Sequence, residues 1–297
     1  MTDIQDFTGS ILSDTSALLG EGPTFDPTTN TAYWFSILDC ELHELALDTN
    51  ELRIHKLPFM ASVLARIDDE RQLIVSENGL YIREKATGAL SLVTPIENDM
   101  PHMRSNDGRT HPSGALWFGT MTKTGEGRKG AGKIYHVAGS TVTTLFEGVS
   151  IPNGICFSPN GTIGYWVDTM ENRYMRVALD ALTGLPLSEA EVFSDEAGLD
   201  GGIDGSVCDA EGYVWNARWG VGEVRRYSPA GEVVAIYKVP AAQTTCPAFI
   251  GADGDRLLVT SAREGMSAEE RAADPKAGFT FDLGVSVKGV FDAPFKL

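Results

Sequence analysis

Short runs in which almost every position is aromatic, aliphatic or β-branched recur six times, each opened by a cluster of turn-forming residues. They read DPTTNTAYWFS from Asp26, DDERQLIVSEN from Asp68, HPSGALWFGTM from His111, SPNGTIGYWVDT from Ser158, DAEGYVWNARW from Asp209 and ADGDRLLVTSAR from Ala252. A turn followed by such a run predicts a buried strand. Most runs are followed by a second, alternating segment, such as Lys133 to Val137 or Glu223 to Tyr227, as the next strand of an antiparallel meander requires. The turns lie 42 to 51 residues apart, which is the length of a four-stranded propeller blade and too long for most solenoid repeats. Six turns predict six blades, hence an all-β, six-bladed propeller.

Helix signals are sparse. Ser267 to Ala273 is the one persuasive candidate, with Ser267 as N-cap and Pro275 as stop, and it falls between two strands of the last blade as a surface excursion. No linker or shift in composition divides residues 1–297, so one domain is expected. The amino-terminal segment around Phe7 to Leu12 is the expected source of the strand that closes the ring.

If the turns are equivalent, so are positions upstream of them. Five residues before each stand Glu21, Val63, Asn106, Asn153, Asp204 and Pro247. Four of these six carry side-chain oxygens, and a glycine follows each of the four within two residues. Taken singly, an Asn-Gly or Asp-Gly pair is what a tight turn needs. Four in one register, at the start of innermost strands, would instead aim carboxylate and amide oxygens at one axial point. Uncompensated, such a cluster is expensive to bury, and a divalent cation resolves it. Oxygen ligands favour calcium, magnesium, manganese or an adaptable zinc site. Arg104, two residues before Asn106, would point the same way on an extended strand and could hold a polar ligand.

Other signals exclude rather than suggest. A net charge of -17 repels phosphate backbones and anionic lipid, so neither nucleic acid nor membrane is an expected partner. The start MTDIQDFTGS lacks the basic residues of a secretory signal, which predicts a cytoplasmic protein. Cys40, Cys156, Cys208 and Cys246 show no CxxC spacing and read as reduced, buried thiols, with a Cys156–Cys208 bridge the one pairing left open. Residues Gly125 to Gly130 spell GEGRKG, formally a dinucleotide fingerprint, but a strand-like GKIYHV follows where a helix is required, so the segment reads as a loop. Neither HExxH nor GxSxG occurs. Trp34, Trp117, Trp166 and Trp215 fall inside the repeated runs and read as blade packing.

Leu19-Gly20-Glu21-Gly22-Pro23, Arg104-Ser105-Asn106-Asp107-Gly108, Trp117-Phe118-Gly119-Thr120-Met121, Pro152-Asn153-Gly154 and Asp204-Gly205 together resemble, in order and along nearly the whole chain, the SMP-30/gluconolactonase/LRE-like family, which includes regucalcin, gluconolactonases and xylonolactonases. The resemblance implies a six-bladed propeller with one axial divalent cation, Ca2+ or Zn2+ foremost and Mg2+, Mn2+ or Fe2+ as alternatives, held by Glu21, Asn153 and Asp204. Arg104 and Asn106 would contact substrate. The implied reaction is hydrolysis of a sugar-acid lactone such as glucono- or xylonolactone, the cation polarising the carbonyl while Asp204 or a metal-held water drives attack. Phosphotriester or fluorophosphate hydrolysis, and a non-enzymatic calcium-binding role, are the competing readings of the same ligand set. The chain departs from relatives at Trp34-Phe35-Ser36-Ile37, at Thr122-Lys123-Thr124, where some relatives carry substrate-touching acids, and at Gly278-Phe279-Thr280-Phe281. These departures bear on substrate identity, and ring size, sugar stereochemistry and oligomeric state leave no trace in the sequence.

Overall fold

Each of the six apolar runs becomes the second strand of an antiparallel sheet in the computed structural model, which describes residues 2–297. The first sheet runs outward from Gly20–Asp26 through Thr31–Ser36 and Glu41–Ala46 to Glu51–Lys56. The innermost strands of the other five are Ala61–Arg66, Met103–Thr110, Pro152–Phe157, Gly202–Cys208 and Thr244–Ile250. Each innermost strand contacts those of the sheets before and after it, and the last contacts the first. The sheets are therefore six blades around one axis, as the repeat predicts.

The burial pattern explains why the second strands are apolar at every position. Leu116–Thr122 is buried throughout because both of its faces meet a neighbouring blade, whereas the outermost Glu51–Lys56 alternates towards solvent. Six apolar clusters are found among the described residues, one at each interface between successive blades. Trp34 and Trp117 are fully buried in two of them, Trp166 packs against the cluster that holds Trp117, and Trp215 lies in a third, so the repeated tryptophans hold blades together. Cys156 and Cys208 share the cluster between the fourth and fifth blades, and all four cysteines are free thiols.

Ring closure uses both ends of the chain. Ser10–Ser13 forms the outer edge of the sixth blade by pairing with Thr280–Asp282, while Asp3–Gln5 adds a parallel fifth strand to the fifth blade. The closing strand thus falls at the carboxyl side of the predicted segment, and Phe7 packs edge-on against Phe281 at 5.8 Å. The helix spans Ala268–Ala273 with a complete capping box: Ser267 Oγ accepts from the Glu270 amide, and the Ser267 amide donates to the Glu270 carboxylate.

Residues 283–297 carry no regular strand and cross the ends of the inner strands. Phe291 packs on Phe25 in the first blade, Asp292 pairs with Arg109 in the third at 2.7 Å, and Phe295 enters the apolar cluster between the second and third. The backbone of Lys288 accepts from Ala210 in the fifth blade. This tail closes the carboxyl ends of the inner strands and leaves the opposite end of the axis open.

Phe281 is the point where blade, closing strand and amino-terminal segment meet. Phe281→Ala is expected to lose about 3–5 kcal/mol of unfolding free energy, read as a lowered urea midpoint.

Candidate active site

Every innermost strand carries a one-residue β-bulge near its amino end, where its register against the second strand shifts. A bulge bends the strand and re-aims a side chain, and here it turns side chains towards the axis. Glu21 and Asn153 are the last paired residues before the shift, while Asn106 and Asp204 lie inside it. The four positions equated by counting therefore differ by one residue in the ladder, yet they converge because the bulge absorbs the difference. The glycines beside them have steric reasons. Gly22 has φ of +54°, and a Cβ there would stand 1.9 Å from the Ser62 carbonyl oxygen of the next blade; a Cβ on Gly205 would stand 2.3 Å from Cys246 Sγ.

Glu21, Arg104, Asn106, Asn153 and Asp204 are all buried, and all line one cavity of about 490 Å³ at the open end of the axis. A chain of hydrogen bonds orders them. Arg104 Nη1 donates to Asn106 Oδ1 at 2.7 Å, Asn106 Nδ2 donates to Asn153 Oδ1 at 2.8 Å and to the Pro152 carbonyl, and Asn153 Nδ2 donates to Thr169 Oγ1 at 2.9 Å. Thr169 in turn donates to the Ile203 carbonyl, beside Asp204. This fixes both amides: the Asn153 oxygen faces Asn106 and the axis, and both Asn106 N–H groups are used within the protein. Asn216 donates to the carbonyls of Asp204 and Gly205 and to Ser206 Oγ, which secures the bulge that carries Asp204.

The electrostatics are unfavourable as they stand. Burial, with the nearby Asp107 charge, pushes the Glu21 carboxyl up to about 8 against the pull of Arg104, and burial followed by the Glu21 charge raises Asp204 well above the ordinary range. Among the described residues neither carboxyl has a cationic side chain within ion-pair distance. Among these residues no three His, Cys, Asp or Glu side chains cluster; the set is two carboxylates and an amide oxygen. Two desolvated carboxyls beside an oriented amide oxygen fit a hard or borderline divalent cation, which would supply the missing countercharge.

Several lining residues escaped the sequence reading: Arg128, Thr169, Trp219, Gln243, Glu264 and Met266. Thr169 follows a second-strand run, and Arg128 sits in the GEGRKG loop dismissed as a nucleotide motif. The excursion carrying the helix is exposed as expected, but its Glu264, Gly265, Met266 and Glu270 also form one wall of the cavity. Asp107, also missed, ties the third blade to the fourth: its carboxylate accepts from the Gly108 amide at 2.8 Å and the Ile155 amide at 2.7 Å. Asp107→Ala is expected to strand the Ile155 N–H and cost about 1–3 kcal/mol, with Asp107→Asn losing less; thermal melts of both variants test this.

The pattern of the SMP-30/Gluconolactonase/LRE-like region matches residues 19–263. A Rhizobium meliloti protein assigned by name to the sugar lactone lactonases is 54% identical over the full length of both chains. The L-arabinolactonase of Azospirillum brasilense is 33% identical over 96% of this chain and 95% of its own. The crystal structure of an Agrobacterium tumefaciens protein described as a calcium-binding protein, regucalcin, superposes with a TM-score of 0.98 at 57% identity, covering all of both chains. The ordered motifs, the six blades and these likenesses agree, and the chain belongs to the SMP-30/gluconolactonase/LRE-like family.

Proposed function

We propose that this protein is a lactonase that hydrolyses the ring ester of a sugar-acid lactone, an aldonolactone such as glucono- or xylonolactone, at the axial cavity. The observation that carries the reading is the convergence of Glu21, Asn153, Asp204 and Arg104 on one cavity open at a single end of the axis. Relatives named as sugar lactone lactonase and L-arabinolactonase, similar along nearly their whole lengths, support the class.

In this reading Glu21, Asn153 and Asp204 hold one divalent cation. The bound cation would supply Lewis acidity towards the ester carbonyl and neutralise the two carboxylates. The chain's own groups do the rest. Arg104 Nε is buried without a partner, so it is free to donate to a ring or carbonyl oxygen of the substrate, and the bond from Nη1 to Asn106 keeps the guanidinium plane in place. Asn106 acts chiefly as a connector, holding Arg104 and Asn153 in fixed relation. Asp204 accepts the proton of the attacking water at a carboxylate oxygen, and that proton then serves the departing ring oxygen. A lactone suits this arrangement because the acyl carbon and the leaving oxygen remain on one small molecule confined in one cavity when the ring C–O bond breaks.

Hydrolysis of five- and six-carbon aldonolactones, followed by pH-stat, tests the reading directly. Chelator-stripped protein is expected to be inactive and to recover on addition of Ca2+, Zn2+, Mg2+, Mn2+ or Fe2+, with the order of recovery identifying the ion. Asp204→Asn and Glu21→Gln are each expected to lose about 10²–10⁴-fold in kcat while remaining folded by circular dichroism. Turnover of a phosphotriester in the same panel, with none of the lactones, would refute the lactone reading.

A further inference from the structure

Arg128 is a second guanidinium in the cavity wall, beside Arg104, and the proposed reaction leaves it unused. It stands in the loop Gly125 to Gly130 between the second and third strands of the third blade, where Gly127 and Gly130 adopt φ of +66° and +67°. The loop is tied down: the Gly130 amide donates to Ser150 Oγ, one residue before Ile151 of the cavity wall, and the Arg128 and Ala131 amides close turns onto the Gly125 and Arg128 carbonyls. Arg128 thereby lines the same cavity as Arg104, near enough that its charge opposes the charged form of Arg104.

Its bonding is incomplete. Nε is buried with no acceptor, and the guanidinium makes only a long contact of 3.5 Å from Nη2 to the Thr122 carbonyl. Among the described residues no carboxylate lies within ion-pair distance of it. Of the two acids on the wall formed by the helical excursion, Glu270 closes the helix capping box, and Glu264 acts on Arg104 through space without an ion pair to either guanidinium among the described residues. A partly desolvated guanidinium with unmade bonds is costly unless a ligand completes them, and planar oxyanions match its fork best. In a chain of net charge -17, an anionic ligand reaching this cavity needs such a group.

We propose that Arg128 is a specificity-determining residue that holds an oxyanion substituent of the lactone, remote from the ring ester, so that the favoured substrates carry a second negative charge. The inference rests on the lactonase reading and deepens it. Arg104 serves the reacting end of the molecule and Arg128 the far end.

The test compares kcat/KM for glucono-1,5-lactone, which is neutral, with 6-phosphoglucono-1,5-lactone and 1,4-glucarolactone, which present a phosphate and a carboxylate. The wild-type protein is expected to favour a charged lactone, and the better of the two identifies the oxyanion. Arg128→Ala should lower kcat/KM for that lactone by about 10- to 100-fold, mainly through KM, with less than about threefold change on the neutral one, and Arg128→Lys should recover part of the loss. Equal losses on neutral and charged lactones, or wild-type preference for the neutral lactone, would overturn the role of Arg128 while leaving the lactonase reading intact. Absence of turnover by metal-loaded wild-type protein on all three and on the five-carbon aldonolactones would sink both, whereas turnover confined to the neutral five-carbon lactones would overturn only the role of Arg128.

Discussion

The structure turns on a single unfavourable burial: Glu21 and Asp204, two carboxyls brought together at the propeller axis with no cationic side chain among the described residues paired to either. Left alone they repel, and burial disfavours their charged forms. The surrounding architecture keeps them there. The inner-strand bulges point them inward, Asn216 fastens the backbone under Asp204, and the chain of bonds from Arg104 through Asn106 and Asn153 to Thr169 fixes the orientation of the neutral Asn153 oxygen in the same cavity. Six apolar interfaces elsewhere in the ring supply the stability that tolerates such a centre. A site preorganised at the expense of local stability is the arrangement that electrostatic catalysis and tight cation binding both require.

Much of this was legible in the sequence because a propeller repeats. Second strands buried on both faces must be apolar throughout, so runs such as TAYWFS and LWFGTMT announce themselves. The same repetition lets a fixed count backwards find Glu21, Asn106, Asn153 and Asp204. The count works although their ladder positions differ by one, because a bulge near the amino end of each inner strand holds one unpaired residue. What lay hidden was whatever does not repeat. Arg128 and Glu264 reach the cavity from insertions between strands, and no periodicity constrains an insertion. Asp107 stands in the Arg104–Gly108 motif with no role visible in the sequence, because that role depends on the Ile155 amide of another blade.

The ends of the chain show the same limit. A closing strand near Phe7 to Leu12 follows from the need to complete the last blade, and Ser10–Ser13 supplies it. The parallel pairing of Asp3–Gln5 with the fifth blade, and the tail from residue 283 that crosses the far end of the axis, have no counterpart among the other blades. The two ends of the axis thus differ chemically: one is filled by Phe291, Phe295 and the Asp292–Arg109 pair, the other is open and lined by the site.

Because the sixth blade joins Ser10–Ser13 to Thr280–Asp282, the ring cannot shut while the chain is still being synthesised. The first five blades can stack as they leave the ribosome, but Ser10–Ser13 waits, unpaired, for the last strand, Thr280–Asp282. Until then the carboxyls of Glu21 and Asp204 face solvent rather than a closed axis, and their repulsion is relieved by water. Electrostatic stress at the centre is therefore imposed only at the final step of assembly, when the stabilising interfaces are already in place.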